Sequence, residues 1–262
     1  MSSLDLRVLD SLEAAARTAE AASDAARAEI LPRFRNVAVE TKEDGSPVTE
    51  ADRAAERAIR NLLAGFDPDV GVLGEEYGDN RKDAELPAWI VDPIDGTIAF
   101  SRGIPLYGTL IALVVAGEPV LGLIDLPSLD QRLVGWKGGG VRRNGTPVRA
   151  SRRDDVKSAI VAHGDAYAFE HFGAREAYER MAAELPMFRG YTDAFGHALV
   201  IQGAVDAMVD TGLNAWDAAA TQCLVVEAGG RCETIDRTDQ GRGLGLVFGS
   251  PPLVDHLAGM LR

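Results

Sequence analysis

Apolar residues fall on one helical face through L-D-L-R-V-L-D-S-L-E-A-A-A-R-T-A-E-A-A-S-D-A-A-R-A-E-I, residues 4–30. The strong helix formers Ala, Glu, Arg and Leu fill the rest, so one long amphipathic helix is predicted, stopping around Pro32. The pattern then turns to alternation in V-A-V-E-T-K-E-D-G-S-P-V-T, residues 37–49. That predicts two strands about an Asp44-Gly45 turn. Thr49, with Asp52 three residues on, has the N-cap and first-turn chemistry of a helix running to about Leu63.

A strand ending in two carboxylates follows at W-I-V-D-P-I-D-G-T, residues 89–97. The apolar runs L-Y-G-T-L-I-A-L-V-V, P-V-L-G-L-I-D-L and Q-R-L-V-G-W come next, separated by short Gly, Pro and Asp turns that favour antiparallel pairing. W-K-G-G-G-V-R-R-N-G reads as a hairpin at Asn144-Gly145 with its basic residues on a solvated face. The second half predicts a strand at S-A-I-V-A-H, helices near 171–184 and 194–203, and a strand at A-V-D-A-M-V-D. The helix W-D-A-A-A-T-Q-C-L-V-V-E-A closes at Gly229-Gly230. With no internal repeat or low-complexity linker, the reading is an α/β (α+β) chain in αβαβα layers. One domain is expected over 1–262, with an α+β half at about 1–150 and an α/β half at about 151–262.

Composition narrows the function. The 262 residues are 46% hydrophobic and 26% charged, so a large core is available. A net charge of −13 opposes binding to a phosphate backbone, and no nucleic-acid partner is expected. M-S-S-L-D-L-R-V-L-D lacks the basic and apolar stretches of a secretory signal, and no apolar run approaches the roughly 20 residues of a membrane span. A cytoplasmic protein without a membrane partner is expected. Cys223 and Cys232 are too few for a disulfide framework and read as packing residues in a reducing compartment.

Asp92 and Asp95 lie where a strand gives out, and Gly96 lets the backbone turn so that successive N–H groups converge. Such a group can hold a hard divalent cation and a phosphate together, or it can be a turn in which Asp95 bonds its own backbone. The motif alone leaves both open. Glu75 and Glu76 in V-L-G-E-E-Y-G are read separately as solvated surface, and Asp217 in N-A-W-D-A-A-A as a helix-dipole contact. His163, His171, His197 and His256 have no metal-ligand spacing, with His197 a pocket candidate. Pro93 occupies the position where a D-x-D-G-T phosphatase carries its nucleophile, which excludes an aspartyl-phosphate there. Calcium-loop and G-K-[ST] phosphate-loop spacings are also missing.

P-V-T-E-A-D (47–52), G-E-E (74–76), W-I-V-D-P-I-D-G-T (89–97) and W-D-A-A-A (216–220) together, in this order, resemble the inositol monophosphatase superfamily of Mg²⁺-dependent, Li⁺-sensitive phosphatases. The resemblance covers nearly the whole chain. It implies the αβαβα sandwich, a homodimer, a small phosphomonoester as substrate, and two or three Mg²⁺ held by Glu75, Asp92, the Ile94 carbonyl, Asp95 and Asp217. It also implies that Thr97, oriented by Asp52, positions and helps deprotonate a water, with Glu75 in the catalytic set. The N–H groups of Gly96 and Thr97 would bind the phosphate. The turn from Lys42 to Asp44 is either a surface turn or part of a loop over a third metal.

F-S-R-G-I-P-L-Y-G-T-L-I-A-L-V-V-A-G-E-P-V-L-G-L-I-D-L-P and R-G-Y-T-D-A-F resemble the histidinol-phosphate phosphatase branch more than the inositol enzymes. Asp193 is then a contact for a substrate amine, or else an N-cap for the following helix. Asp210 stands where many members have Glu, and Thr192 where a glycine is expected. L-Histidinol phosphate is the expected substrate and inositol 1-phosphate the alternative. Phosphoadenosine and fructose bisphosphates are disfavoured because the compact chain has no added base-binding or regulatory segments. A non-catalytic scaffold of the same fold remains the alternative from another class, although such a member should have lost ligands and none is missing.

Overall fold

The structure, a computed structural model, describes residues 1–42 and 45–262. In chain order the helices are α1 (Ser3–Leu9), α2 (Leu12–Ile30), α3 (Glu50–Leu63), α4 (Thr97–Ser101), α5 (Ala166–Phe172), α6 (Arg175–Glu184), α7 (Asp193–Ile201), α8 (Ala215–Glu227) and α9 (Pro251–Leu261). The strands of the first half are β1 (Val39–Thr41), β2 (Pro47–Thr49), β3 (Gly71–Gly74), β4 (Gly78–Asp79), β5 (Ala88–Asp95), β6 (Gly108–Val115), β7 (Glu118–Leu126), β8 (Gln131–Trp136), β9 (Gly140–Arg143) and β10 (Thr146–Val148). Those of the second half are β11 (Ile160–His163), β12 (Met187–Gly190), β13 (Ala207–Leu213), β14 (Arg231–Asp236) and β15 (Leu244–Gly249).

Strands β10-β9-β8-β7-β6-β5-β3-β4 form one sheet, antiparallel except where β3 runs parallel to β5. A second sheet has the order β12-β11-β13-β15-β14. Helices α2 and α3 cover the outer face of the large sheet around Trp89, Phe100 and Tyr107, α7 and α8 lie between the sheets, and α5, α6 and α9 cover the far face. The five layers are α, β, α, β, α, as the sequence predicts. Trp89 is fully buried, and truncating it to alanine would cost about 3–5 kcal/mol.

Close backbone approach seats the middle helices. A Cβ on Gly122 of β7 would lie 2.4 Å from the Ala220 carbonyl of α8, and one on Gly108 of β6 would lie 2.8 Å from the Ala194 Cβ of α7. The missing side chains bring Asp193 and Asp217 down onto the end of the large sheet. On the opposite face, Arg27 of α2 grips the fully buried Asp125 with Nε at 2.6 Å and Nη2 at 2.8 Å, while Arg132 adds a third contact at 3.0 Å. Removing either arginine leaves buried negative charge undercompensated.

Several boundaries differ from the sequence reading. The helix expected over 4–30 breaks at Asp10-Ser11, because the Ser11 hydroxyl turns back to the Arg7 and Val8 carbonyls. The helix expected over 171–184 is two, α5 starting earlier and ending at Gly173, whose φ of +78° closes it in left-handed geometry. The strand placed at 204–210 is shifted to Ala207–Leu213, because the 204–206 stretch is taken up by the turn after α7. β1 and β2 pair as expected, but Asp44 of their turn lies outside the described residues. Asn144 and Gly145 both have positive φ, as a two-residue hairpin requires.

Candidate active site

Position on the fold follows from local chemistry. Thr49 caps α3, accepting from the Ala51 N–H at 3.1 Å, while the Asp52 carboxylate reaches back to the Thr49 N–H at 2.8 Å and hydroxyl at 2.6 Å. This reciprocal cap buries Asp52 completely and leaves its other oxygen 3.2 Å from the Thr97 hydroxyl. Thr97 Oγ1 also lies 3.0 Å from the Ile94 carbonyl. Thus one side chain makes both the helix cap and the contact to Thr97.

β5 keeps its pairing to β6 at Asp92 and regains it at Asp95, with an irregularity between them. Such a bulge re-aims side chains at the end of a strand. The Asx contact that the turn alternative assigned to Asp95 is made by Asp92, whose Oδ1 accepts the Ile94 N–H at 2.9 Å, since Asp92 is the residue that enters the bulge. Asp95 is thereby left to face the cavity. Gly96 follows with φ +93°, and a Cβ there would lie 3.2 Å from Asp193 Oδ2.

The carboxylates of Asp92, Asp95 and Asp217 bring ligand atoms within 4.8 Å of one another. Asp217 is fixed at the start of α8, where its carboxylate accepts the Asn214 N–H at 2.7 Å. Glu75 lines the same cavity from the turn between β3 and β4, but its carboxylate is held by Lys42 Nζ at 2.7 Å. Lys42 also holds Glu76 at 2.6 Å. That turn is pinned from below by the buried Glu56, which accepts the Glu76 and Tyr77 N–H groups. Sequence reasoning passed over Glu56 because a charged residue at helical spacing resembles solvated surface.

Electrostatics separate this cluster from a surface acid patch. Burial, followed by the charges of Glu75 and the neighbouring aspartates, holds Asp92 well above the usual carboxylate range. Burial and then Asp193 do the same to Asp95. Asp217 is pushed up to about 7 by burial, with the Asn214 N–H opposing and Glu75 adding. Burial also raises Asp52, against its bonds from Thr49. The cavity lining contains no lysine or arginine among the described residues, so a cation between these acids would favour their joint ionisation. An all-oxygen, carboxylate-rich donor set fits Mg²⁺.

Asp193 and Asp210 line the same cavity. Asp193 does not cap α7; its Oδ2 takes the Thr192 hydroxyl at 2.9 Å, and its backbone φ is +57°. Burial raises it, the Thr192 hydroxyl opposes this, and Asp210 adds to it. Asp210 contacts His197, a residue read only as a candidate from sequence. Gly164, Asp165, Thr211 and Trp216 also line the cavity. The one sequence signal for the first two is the Gly-Asp pair that ends the S-A-I-V-A-H strand. His163 packs against Tyr178 and Phe188 instead, and both cysteines are free.

Comparison with known proteins agrees with this architecture. A histidinol-phosphatase of Chlorobaculum parvum is 37% identical over 198 residues, 76% of each chain. An inositol-1-monophosphatase of Mesorhizobium japonicum is 35% identical over 209 residues, 77% of each chain. The crystal structure of extragenic suppressor protein suhB from Bartonella henselae matches with a TM-score of 0.84 at 27% identity, over 95% of this chain and 98% of that one. Residues 9–253 match the inositol monophosphatase family, and the chain belongs to that family of phosphatases.

Proposed function

We propose that the chain hydrolyses L-histidinol phosphate, a small cationic phosphomonoester, by direct attack of water in a Mg²⁺-dependent reaction. The observation that carries the phosphatase chemistry is the cluster of buried Asp92 with half-buried Asp95 and Asp217 beside Gly96 and Thr97. Glu75, Asp92, the Ile94 carbonyl, Asp95 and Asp217 would hold two or three Mg²⁺. Bound there, Mg²⁺ supplies charge to phosphate oxygens and the departing alkoxide and acidifies water. Glu75 joins the set when Lys42 stays with Glu76 alone, an exchange that leaves the ammonium paired.

The protein's own groups do the positioning. A threonine hydroxyl has one proton and two lone pairs; with the proton directed to Asp52 or to the Ile94 carbonyl, a lone pair of Thr97 Oγ1 is available to an attacking water. Burial raises the proton affinity of Asp52, which suits it to receive that proton. The Gly96 and Thr97 N–H groups, at the open start of α4, would hold phosphate oxygens. Asp193 and Asp210 favour a leaving group with an amine, because the cavity they line holds no lysine or arginine among the described residues.

An inositol-1-phosphate phosphatase is the second reading, favoured by the 35% identity to the Mesorhizobium japonicum enzyme. Phosphate release from both substrates, with Mg²⁺ and with excess chelator, tests the shared chemistry. Asp95→Asn should abolish it while leaving a folded protein. Turnover that persists in chelator refutes the proposal, and no release from either substrate with Mg²⁺ present indicates a scaffold.

A further inference from the structure

We propose that His197 is the positioning residue that sets selectivity for a cationic substrate, by holding the Asp210 carboxylate in the orientation that faces the cavity. This rests on the reading of Asp210 as a substrate contact. His197 follows Asp193 by one turn of α7, and Thr221 follows Asp217 by one turn of α8. That spacing puts each pair on one helix face. The two faces meet between the sheets, where His197 Nδ1 lies 2.7 Å from Thr221 Oγ1 and Nε2 lies 3.1 Å from Asp210 Oδ2.

Both His197 and Thr221 are buried, and the ring stands nearly perpendicular to Phe248 at 4.9 Å between centroids. An imidazole nitrogen facing a carboxylate carries a proton whether the ring is neutral or charged, so Nε2 donates to Asp210 in either state. Nδ1 faces a hydroxyl, which donates to or accepts from it as the ring requires. The contact to Asp210 is therefore independent of the ring's charge.

Asp210 is fixed from its other side as well. Its Oδ1 accepts the Thr211 N–H at 2.9 Å, and Gly164 backs onto it so closely that a Cβ would lie 1.9 Å from Oδ1. With Oδ1 confined, the bond from Nε2 determines where Oδ2 points. Without that bond Oδ2 loses its buried donor and turns away, which removes negative charge from the wall. The phosphate end is built on β5 and the start of α8, and the bond from Nε2 to Asp210 reaches neither. A residue that merely filled space between the sheets would affect both ends alike.

The test uses the full chain, saturated with Mg²⁺, and the ratio of kcat/KM for L-histidinol phosphate to that for p-nitrophenyl phosphate. His197→Leu should lower the ratio about tenfold, the scale of one hydrogen bond to a charged group, and mainly through KM for the cationic substrate. Thr221→Val should lower it less. His197→Gln should restore most of it, since an amide both donates to Asp210 and accepts from Thr221. An unchanged ratio in His197→Leu and Thr221→Val overturns the inference, as does a glutamine variant no better than leucine. If His197→Leu does not fold, the threonine and glutamine variants decide it alone. A wild-type ratio near one instead defeats the substrate reading itself, and this inference with it.

Discussion

Replacing Thr97 by valine removes one hydroxyl and almost nothing else. The side chain keeps its shape, and Asp52 keeps the Thr49 N–H at 2.8 Å and hydroxyl at 2.6 Å, so no buried carboxylate is stranded. The fold should lose only the 3.2 Å contact to Asp52 and the 3.0 Å contact to Ile94, about 1 kcal/mol in all. If Thr97 orients and deprotonates water, kcat should nevertheless fall by about 10²-fold or more, the scale of general-base catalysis. KM should move little, because the main-chain N–H groups at Gly96 and Thr97 are retained. Thr97→Ser keeps the hydroxyl and should recover most of the rate. Steady-state phosphate release at saturating Mg²⁺, alongside urea unfolding of each variant, measures both effects. A near-normal kcat in Thr97→Val, or a serine variant as slow as valine, would falsify the assigned role.

Asp193→Asn should lower kcat/KM for histidinol phosphate relative to an aryl phosphate by about ten- to a hundredfold, the worth of one desolvated charge-assisted contact, whereas equal losses on both would remove Asp193 from substrate recognition. Gly164→Ala forces a methyl to within 1.9 Å of Asp210 Oδ1, so it should cost about 1–3 kcal/mol in overpacking and reduce selectivity in the same direction; chemical denaturation and the paired substrate assay read the two effects. Asp217 binds its proton more tightly folded than unfolded, so in chelator its contribution to stability is full below the ordinary carboxylate value and is lost as pH rises toward about 7. Chelated protein should therefore melt lower at pH 8 than at pH 5, Mg²⁺ should reverse the loss, and Mg²⁺ affinity measured by calorimetry should rise across the same interval.

What the sequence makes legible is chemistry that acts over a few residues. Thr49 and Asp52 announce their cap, Asn144-Gly145 its hairpin, and the apolar runs from 106 to 136 their antiparallel order. The acids at 75, 92, 95 and 217 stand out only as a set, since each is unremarkable in its own segment. Contacts made by folding are invisible at that range. Nothing local indicates that Lys42 will reach Glu75, that Glu56 will be buried beneath it, or that His197 will bridge Thr221 and Asp210 across two layers. The breaks at Ser11 and Gly173 show the same limit in reverse. Apolar helical periodicity continues through the first, where the Ser11 hydroxyl and N–H bond back to the preceding turn and the helix ends.

Selectivity between the two substrates is the central claim, and a competition measures it most directly. L-Histidinol phosphate and myo-inositol 1-phosphate at equal concentration, in one tube with Mg²⁺ and the wild-type chain, can be followed together by phosphorus NMR. The initial ratio of their disappearance is the ratio of kcat/KM values. The carboxylates at 193 and 210 predict that histidinol phosphate is consumed first, by about tenfold or more. Consumption of inositol phosphate first, or of both at the same rate, would contradict the account.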